Sequence, residues 1–406
     1  MALDKAVIEK IRSSALAYEE DIVKFLRDIV AIPSVSCQEQ AVVLRIAEEM
    51  RRQGFDEVRL DRVGNVIGRV GQGPIKILYD SHIDTVGIAD PLAWEHDPYI
   101  GKVADGVVYG RGASDNKAAM ATFVYAARIM QDLGLTDCCT LYVVGVVEEE
   151  SCDGWAVKEM IEHEGVVPDF VVLGECTDLA IYRGHRGRIE FKVVTKGVSC
   201  HASAPERGVN AVYKMLPIIK GIEDLQGKLA SHSFLGQGSI AVTMMECKTG
   251  SLNTVPDECT IYIDRRTTVG ETRETCFAEI RSLPGGDEAH IEMLYYDDPS
   301  WTGYQKRVDK YFPTWMLEED HVLVTSGAKA AELITGDKPR VDKWTFGTDG
   351  SSLMGKLGIP TIGFGPSEEK WAHTVDDQVK IEHLLQATMF YALFPSVLAK
   401  QLSASI

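Results

Sequence analysis

Residues 75 to 85 read Ile75-Lys76-Ile77-Leu78-Tyr79-Asp80-Ser81-His82-Ile83-Asp84-Thr85. The first five form a short apolar run of the kind that makes a buried strand, and the polar residues follow at once. Side chains alternate along an extended backbone, so His82 and Asp84 share one face, as a metal ligand and a carboxylate orienting it would. An isolated His-x-Asp is weak evidence and is more often ordinary loop polarity, so its surroundings decide.

Downstream, a helical run from about Asn116 to Leu133 is followed by strands over Leu141 to Val147 and Asp169 to Leu173, with a helix over about Trp155 to Glu164 between them. Upstream, apolar residues at helical spacing predict an amphipathic helix over about Asp4 to Val30, then a helix over about Glu39 to Gln53 and a strand pair over Val58 to Val70. Strands alternating with helices predict an α/β sheet containing parallel strands, covered on both faces. From Arg188 the order becomes β-α-β-β-α-β: Ile189 to Thr195, Asn210 to Leu225, Ser239 to Cys247, Glu258 to Arg265, Arg273 to Leu283 and His290 to Tyr296. This is the split ferredoxin-like arrangement, and it predicts an inserted α+β domain at 188–300 within a body made of 1–187 and 301–406. The body is expected to resume with Trp344 to Phe346, a turn or helix over Gly350 to Leu357, a strand over Thr361 to Phe364 and a last helix from about Lys380.

The chain of 406 residues is 45% hydrophobic and 25% charged, which suits folded domains and argues against extensive disorder. Its net charge of −18 disfavours nucleic acid and anionic membranes as partners and suits divalent cations, although solubility alone would also explain it. Nine scattered cysteines read as reduced thiols, and the opening MALDKAVIEKIRSS reads as neither signal peptide nor anchor; a cytoplasmic location is expected. No stretch is apolar enough to span a bilayer.

Four further segments carry chemistry. Gly110-Arg111-Gly112-Ala113-Ser114-Asp115-Asn116-Lys117 turns tightly into a helix, where Asp115 would either cap the helix or bridge two cations. Val146-Val147-Glu148-Glu149-Glu150-Ser151 puts three acids at the end of an apolar strand, a costly place unless a cation neutralises them; the bland reading is a solvated charge run. Leu173-Gly174-Glu175-Cys176 repeats the pattern, and Ala372-His373-Thr374-Val375-Asp376-Asp377 follows Gly363-Phe364-Gly365-Pro366. His373 alone would pass for a surface histidine. Sites in parallel α/β sheets assemble at strand ends, and four of these five segments follow strands.

Taken in order, the segments resemble the zinc metallopeptidase and deacylase family of acetylornithine deacetylase, succinyl-diaminopimelate desuccinylase, carboxypeptidase G and peptidase T. The likeness spans nearly the whole chain. Glu-Glu-Glu-Ser-Cys-Asp-Gly and Gly-Glu-Cys-Thr look most like its selenium-metabolism-linked hydrolase branch. The resemblance implies a zinc-exopeptidase-like catalytic domain, with a mixed sheet flanked by helices, and an inserted dimerisation or lid domain. It further implies two divalent ions per chain, zinc with manganese or cobalt as alternatives. His82 and Glu175 would hold one, Glu150 and His373 the other, and Asp115 would bridge them, with a cis peptide after it. Glu149 matches the general acid/base and Asp84 the carboxylate that orients His82. The triple acid leaves a second register, Glu148-Glu149, open, although the spacing to Cys152-Asp153-Gly154 favours Glu149-Glu150. Ala118 and Cys176 stand where the family usually has glycine and proline.

The resemblance also brings in His201, in Gly197-Val198-Ser199-Cys200-His201, as a histidine reaching the partner subunit's site in a homodimer to stabilise an oxyanion; otherwise it simply occupies a loop. Asn253, Arg266 and Gly347, the last in Gly347-Thr348-Asp349-Gly350, look like its substrate-binding residues. Arg265 rivals Arg266, and strand alternation lets only one face the cleft. The expected reaction is hydrolysis of an amide-type C–N bond in a small N-acyl or N-carbamoyl amino acid bearing a carboxylate. Short peptides are the alternative substrate, and a non-catalytic metal-binding or interaction protein is the rival class.

Overall fold

The computed structural model describes residues 5 to 404. The opening segment forms two helices, Lys5–Ala17 and Glu19–Val30, instead of the single helix expected; Asp4, its expected start, lies outside the described residues. The break falls at Tyr18, where three acids, Glu19, Glu20 and Asp21, favour a fresh helix N-terminus and the tyrosine hydroxyl donates to Asp132 at 2.7 Å.

The strand Ile75–His82 lies at the centre of an eight-stranded mixed sheet and pairs in parallel with both Cys139–Val146 and Phe170–Leu173. Phe170–Leu173 in turn pairs in parallel with Thr361–Gly363. An antiparallel hairpin, Glu57–Leu60 and Val66–Val70, borders one side, and Ile181–Tyr182 with Val341–Asp342 borders the other. Helix Lys117–Asp132 is buried along most of its length against this sheet, Ile381–Ala404 packs beside it, and both share one apolar core with the sheet. None of the described helices is long and apolar enough to cross a membrane.

One expectation late in the chain fails, and one helix stands where none was expected. Trp344 to Phe346 is not a strand: the sheet ends on Val341–Asp342, and the Trp344 indole is a buried plug. Its ring lies where a side chain at Gly363 would sit, 2.0 Å from an ideal Cβ, and its N–H donates to the Cys176 carbonyl at 3.1 Å. The helix Val322–Thr335, which the sequence reading did not identify, is capped by the His321 imidazole and stopped by left-handed Gly336.

Residues from Gly187 onward form a second sheet with its own core, including Phe191, Val193, Ile218 and Ile261. Its strands lie in the order Ser239–Lys248, Glu258–Thr267, Gly187–Lys196, His290–Met293, all antiparallel, with helices Ala211–Leu225 and Arg273–Arg281 supplying the two crossovers. That is the ferredoxin-like arrangement. Past residue 300, Tyr311–Phe312 adds to the same sheet beside Arg188 and Ile189.

Candidate metal centre

Three mutually parallel strands end beside one another, and each delivers polar side chains to the same edge. Ile75–His82 delivers His82, Cys139–Val146 leads into Glu148 to Glu150, and Phe170–Leu173 leads into Glu175. The fourth parallel strand, Thr361–Gly363, leads through a short 3-10 turn to His373.

His82 is held from behind by its Nδ1, 3.0 Å from the backbone carbonyl of Asp84, which leaves Nε2 facing Asp115 Oδ1 at 3.0 Å and Glu175 Oε1 at 3.6 Å. The Asp84 carboxylate is 3.6 Å from the same ring, so the main chain rather than the side chain of Asp84 makes the closest contact. Asp115 caps nothing. The helix starting at Lys117 has no side-chain cap, and the Asp115 carboxylate lies between His82 and His373, its Oδ2 3.3 Å from His373 Nε2. The turn before it is pinned by Asp377, which accepts from Gly112, Ser114 and Arg111, and the Asp115–Asn116 peptide is cis. Gly112, at φ +86°, brings the backbone against Thr85.

The three glutamates diverge. Glu148, at φ +59°, turns away and accepts the Tyr296 hydroxyl at 2.6 Å. Glu150 meets His373 Nε2 at 3.0 Å, and Glu149 lines the cavity between them. Two donor sets therefore exist, His82–Asp115–Glu175 and Asp115–Glu150–His373, each with its donor atoms within 4.8 Å of one another and both using Asp115. A third cluster, Glu159–Glu162–His163, is a different object, since Glu159 is already paired with Lys306 and Arg62.

The electrostatics call for positive charge. Burial pushes Glu175 and Glu149 well above the ordinary carboxyl range, and it raises Glu150 against the opposing hydrogen bond from His373. Burial also works to raise Asp115, but hydrogen bonds from His373 and His82 outweigh it and hold that carboxyl low. Hydrogen bonds to Asp115 and Glu150 push His373 up to about 10. Glu175 Oε2 is buried with no hydrogen-bond partner. Carboxylates with two imidazoles, one buried oxygen unpaired and one acid shared, fit a pair of divalent cations bridged by Asp115.

These residues form one wall of a cavity of about 330 Å³. Arg266 lines it, with one edge of its guanidinium held by Asp264 at 2.8 and 3.0 Å, while Arg265 is buried against Glu271 and Glu279. Gly347 also lines it, and an ideal Cβ there would fall 2.2 Å from Asp153 Oδ2. His201 and Asn253 do not line it. They are exposed on adjoining loops of the second sheet's domain, where Ala202 N–H donates to the Asn253 carbonyl. Sequence reasoning missed Asp153, Arg188, Phe346 and Glu369, which complete the cavity. Arg188 had a signal, being the cross-strand partner of Arg266; Glu369 had none.

Comparison with known proteins agrees with this geometry. The model for Peptidase family M20/M25/M40 matches residues 78–396. The uncharacterized protein YgeY of Escherichia coli (strain K12) is 47% identical over 393 residues, 96% of each chain. A succinyl-diaminopimelate desuccinylase of Cereibacter sphaeroides is 30% identical over 382 residues, 90% of this chain and 95% of that one. Among solved structures, the Bacillus subtilis YXEP protein, a dinuclear metal binding peptidase, superimposes with a TM-score of 0.69 at 16% identity, covering 95% of this chain and 99% of that one.

Proposed function

The chain belongs to peptidase family M20/M25/M40, metal-dependent hydrolases of amide bonds, and from that premise we propose that it removes the acyl or carbamoyl group from a small amino-acid derivative bearing a carboxylate. The observation that carries this reading is the pair of donor sets sharing Asp115, with Glu149 beside them but in neither. Two divalent ions, zinc with manganese or cobalt as alternatives, would be held by His82, Asp115 and Glu175 and by Asp115, Glu150 and His373, where they would acidify a water and polarise the carbonyl. Glu149, which lines the cavity beside both donor sets and belongs to neither, would take one proton from the attacking water and return it to the leaving nitrogen. Asp84 fixes the backbone of Glu149 and Glu150, so that acid and ligand keep their spacing. Arg266 offers the free edge of its guanidinium to the substrate carboxylate, beside the backbone of Gly347.

His201 and Asn253 enter this scheme from a second subunit. Their exposure outside the cavity of their own chain supports that reading. So do the exposed Tyr213, Leu216, Met244 and Met245 on the helix and edge strand of the 188–300 domain, which would pair with the same domain of its mate. A cytoplasmic location fits the nine free cysteines. The test is a screen of protein reconstituted with zinc, manganese or cobalt against N-acyl amino acids, N-carbamoyl amino acids and dipeptides, with released acid, ammonia and amino acid assayed separately. Turnover of N-acyl or N-carbamoyl substrates above dipeptides is expected. Dipeptide turnover alone would make it a dipeptidase, and metal bound without turnover of any class would make it a binding protein.

A further inference from the structure

The run Val147 to Glu150 carries the proposed base and a metal ligand, and a side chain from elsewhere in the chain accepts each of its backbone N–H groups. Val147 donates to Asn65 at 3.0 Å, Glu148 to Glu39 at 3.1 Å, and Glu149 and Glu150 to the two oxygens of Asp84 at 3.1 and 3.2 Å. The strand Cys139–Val146 has ended by then, so these donors have left the sheet and need other partners. Within the run the backbone turns at Glu148, whose φ of +59° is a left-handed value that a residue with a side chain keeps only when its surroundings impose it. Two groups do so. Glu39 Oε1 takes the Glu148 N–H together with that of Cys37 at 3.0 Å, and the Tyr296 hydroxyl holds the Glu148 carboxylate at 2.6 Å. The turn sends Glu148 away from the cavity and leaves the next side chain, Glu149, lining it.

Glu39 is fully buried, and the charges that act on it most strongly belong to two other acids, Asp84 and Glu148. Burial, reinforced by those acids, pushes its pKa up to about 8. A buried acid facing acids is unfavourable, and an apolar side chain would fill the space more stably, so what Glu39 provides is an acceptor. We propose that Glu39 is a positioning residue for catalysis: by accepting the Glu148 N–H it fixes the left-handed turn that aims Glu149 into the cavity. Its oxygen carries the role and its charge does not. Asp84 holds the N–H groups after the turn, whereas Glu39 holds the turn itself, with Tyr296 supporting it from the end of the 188–300 segment. The inference rests on the hydrolase reading above, in which Glu149 moves the proton.

Two substitutions separate the oxygen from the charge. Glu39→Met keeps the bulk and removes the acceptor, whereas Glu39→Gln keeps an oxygen for both N–H groups and removes the charge. In the metal-loaded enzyme Glu39→Met should lower kcat by roughly ten- to hundredfold, the usual effect of a displaced catalytic group, with KM and metal content close to wild type. Glu39→Gln, by restoring the acceptor, should recover most of that loss. Hydrogen exchange followed by mass spectrometry gives a reading that needs no substrate: the amides of residues 147 to 150 should exchange faster in Glu39→Met than in wild type, and Glu39→Gln should return them toward the wild-type rate. If Glu39→Met does not fold, Tyr296→Phe, which removes only the hydroxyl holding Glu148, should lower kcat and speed the same amides. An equal loss of kcat in Glu39→Gln and Glu39→Met, or a loss in Glu39→Met no larger than its loss of folded protein, overturns the inference while leaving the hydrolase reading standing. Unchanged exchange at residues 147 to 150 in Glu39→Met overturns it as well. Wild-type protein that hydrolyses nothing sinks the hydrolase reading instead, and the exchange comparison still decides whether Glu39 holds the turn.

Discussion

Asp84 Oδ1 accepts the backbone N–H of Glu149 at 3.1 Å, and the other oxygen of the same carboxylate accepts the N–H of Glu150 at 3.2 Å. The spacing His-x-Asp suggests a carboxylate that steers the imidazole of His82, yet that ring meets the Asp84 main chain. The carboxylate, 3.6 Å from the same ring, also ties the strand ending in His82 to the acids emerging from the neighbouring strand, and Ser36 donates to it at 2.7 Å. Asp84→Asn replaces one acceptor with a donor facing an N–H. It should lower kcat by roughly ten- to hundredfold, the usual cost of losing a group that orients metal ligands. Steady-state kinetics beside metal analysis checks this, with kcat falling more than metal content.

Glu149 and Glu150 should part company on substitution. Glu150 faces His373 at 3.0 Å within a donor set, and Glu149 stands outside both sets. Glu149→Gln is expected to abolish turnover while retaining the metals. Glu150→Gln is expected to weaken metal binding first, so that added metal restores part of its activity. Swapped phenotypes would mean that the working pair is Glu148-Glu149, against the outward turn of Glu148 toward Tyr296.

Much of this site is legible in sequence because a strand end is a local event. An apolar run that stops abruptly at a histidine or an acid marks where a parallel strand opens onto its edge, and His82, Glu149, Glu150 and Glu175 all announce themselves so. Fold signals fail where tertiary packing overrides pattern. Trp344 reads as strand but is a plug beneath Gly363, and Tyr18 interrupts a continuous apolar periodicity because it is drawn to Asp132. Glu369 sits in a turn with no periodicity, so only the folded cavity reveals it.

Divalent metal should stabilise as well as activate. Buried carboxylates at Glu149, Glu150 and Glu175 cost folding energy that bound cations offset, so ligand linkage predicts a Tm that rises with added zinc, manganese or cobalt and falls with a chelator. Differential scanning fluorimetry with elemental analysis should give two ions per chain at saturation. Full activity and an unchanged Tm after exhaustive chelation would refute the two-ion centre.

His185 predicts a pH effect on stability. Its ring is buried beneath Trp315 and Trp344, Nδ1–H donates to the Arg186 carbonyl, and Nε2 accepts the Thr348 N–H at 3.1 Å. Burial drives its pKa down to about 4. In the unfolded chain the imidazole titrates near 6.5, so between about pH 6.5 and 4 the unfolded state binds a proton that the folded state refuses. This contribution is therefore fully present above pH 6.5 and lost on acidification through that window, by something like 3 kcal/mol at its lower end. His185→Gln keeps an acceptor for Thr348 without titrating. The difference in Tm between wild type and variant should shrink steadily from pH 7 to pH 4, and a constant difference would show that the proton is not excluded.

The remaining prediction concerns assembly. His201 is exposed and outside the cavity of its own chain, yet it shares a β-bridge with Thr254 that holds it beside Asn253 on a domain whose outer helix and edge strand expose apolar side chains. If two such domains pair about a two-fold axis, each His201 can supply the oxyanion donor that the other subunit's cavity lacks, and either His201→Ala or Glu149→Gln alone should leave a nearly inactive homodimer. Mixing the two variants under conditions of subunit exchange produces heterodimers with unequal sites. One cavity keeps its own Glu149 and receives His201 from its neighbour, while the other has lost both. Activity per heterodimer should therefore return to about half that of wild type, since a single intact oxyanion donor restores a full site. Native mass spectrometry that finds heterodimers without recovered turnover would mean that His201 acts within its own chain or takes no part in the reaction.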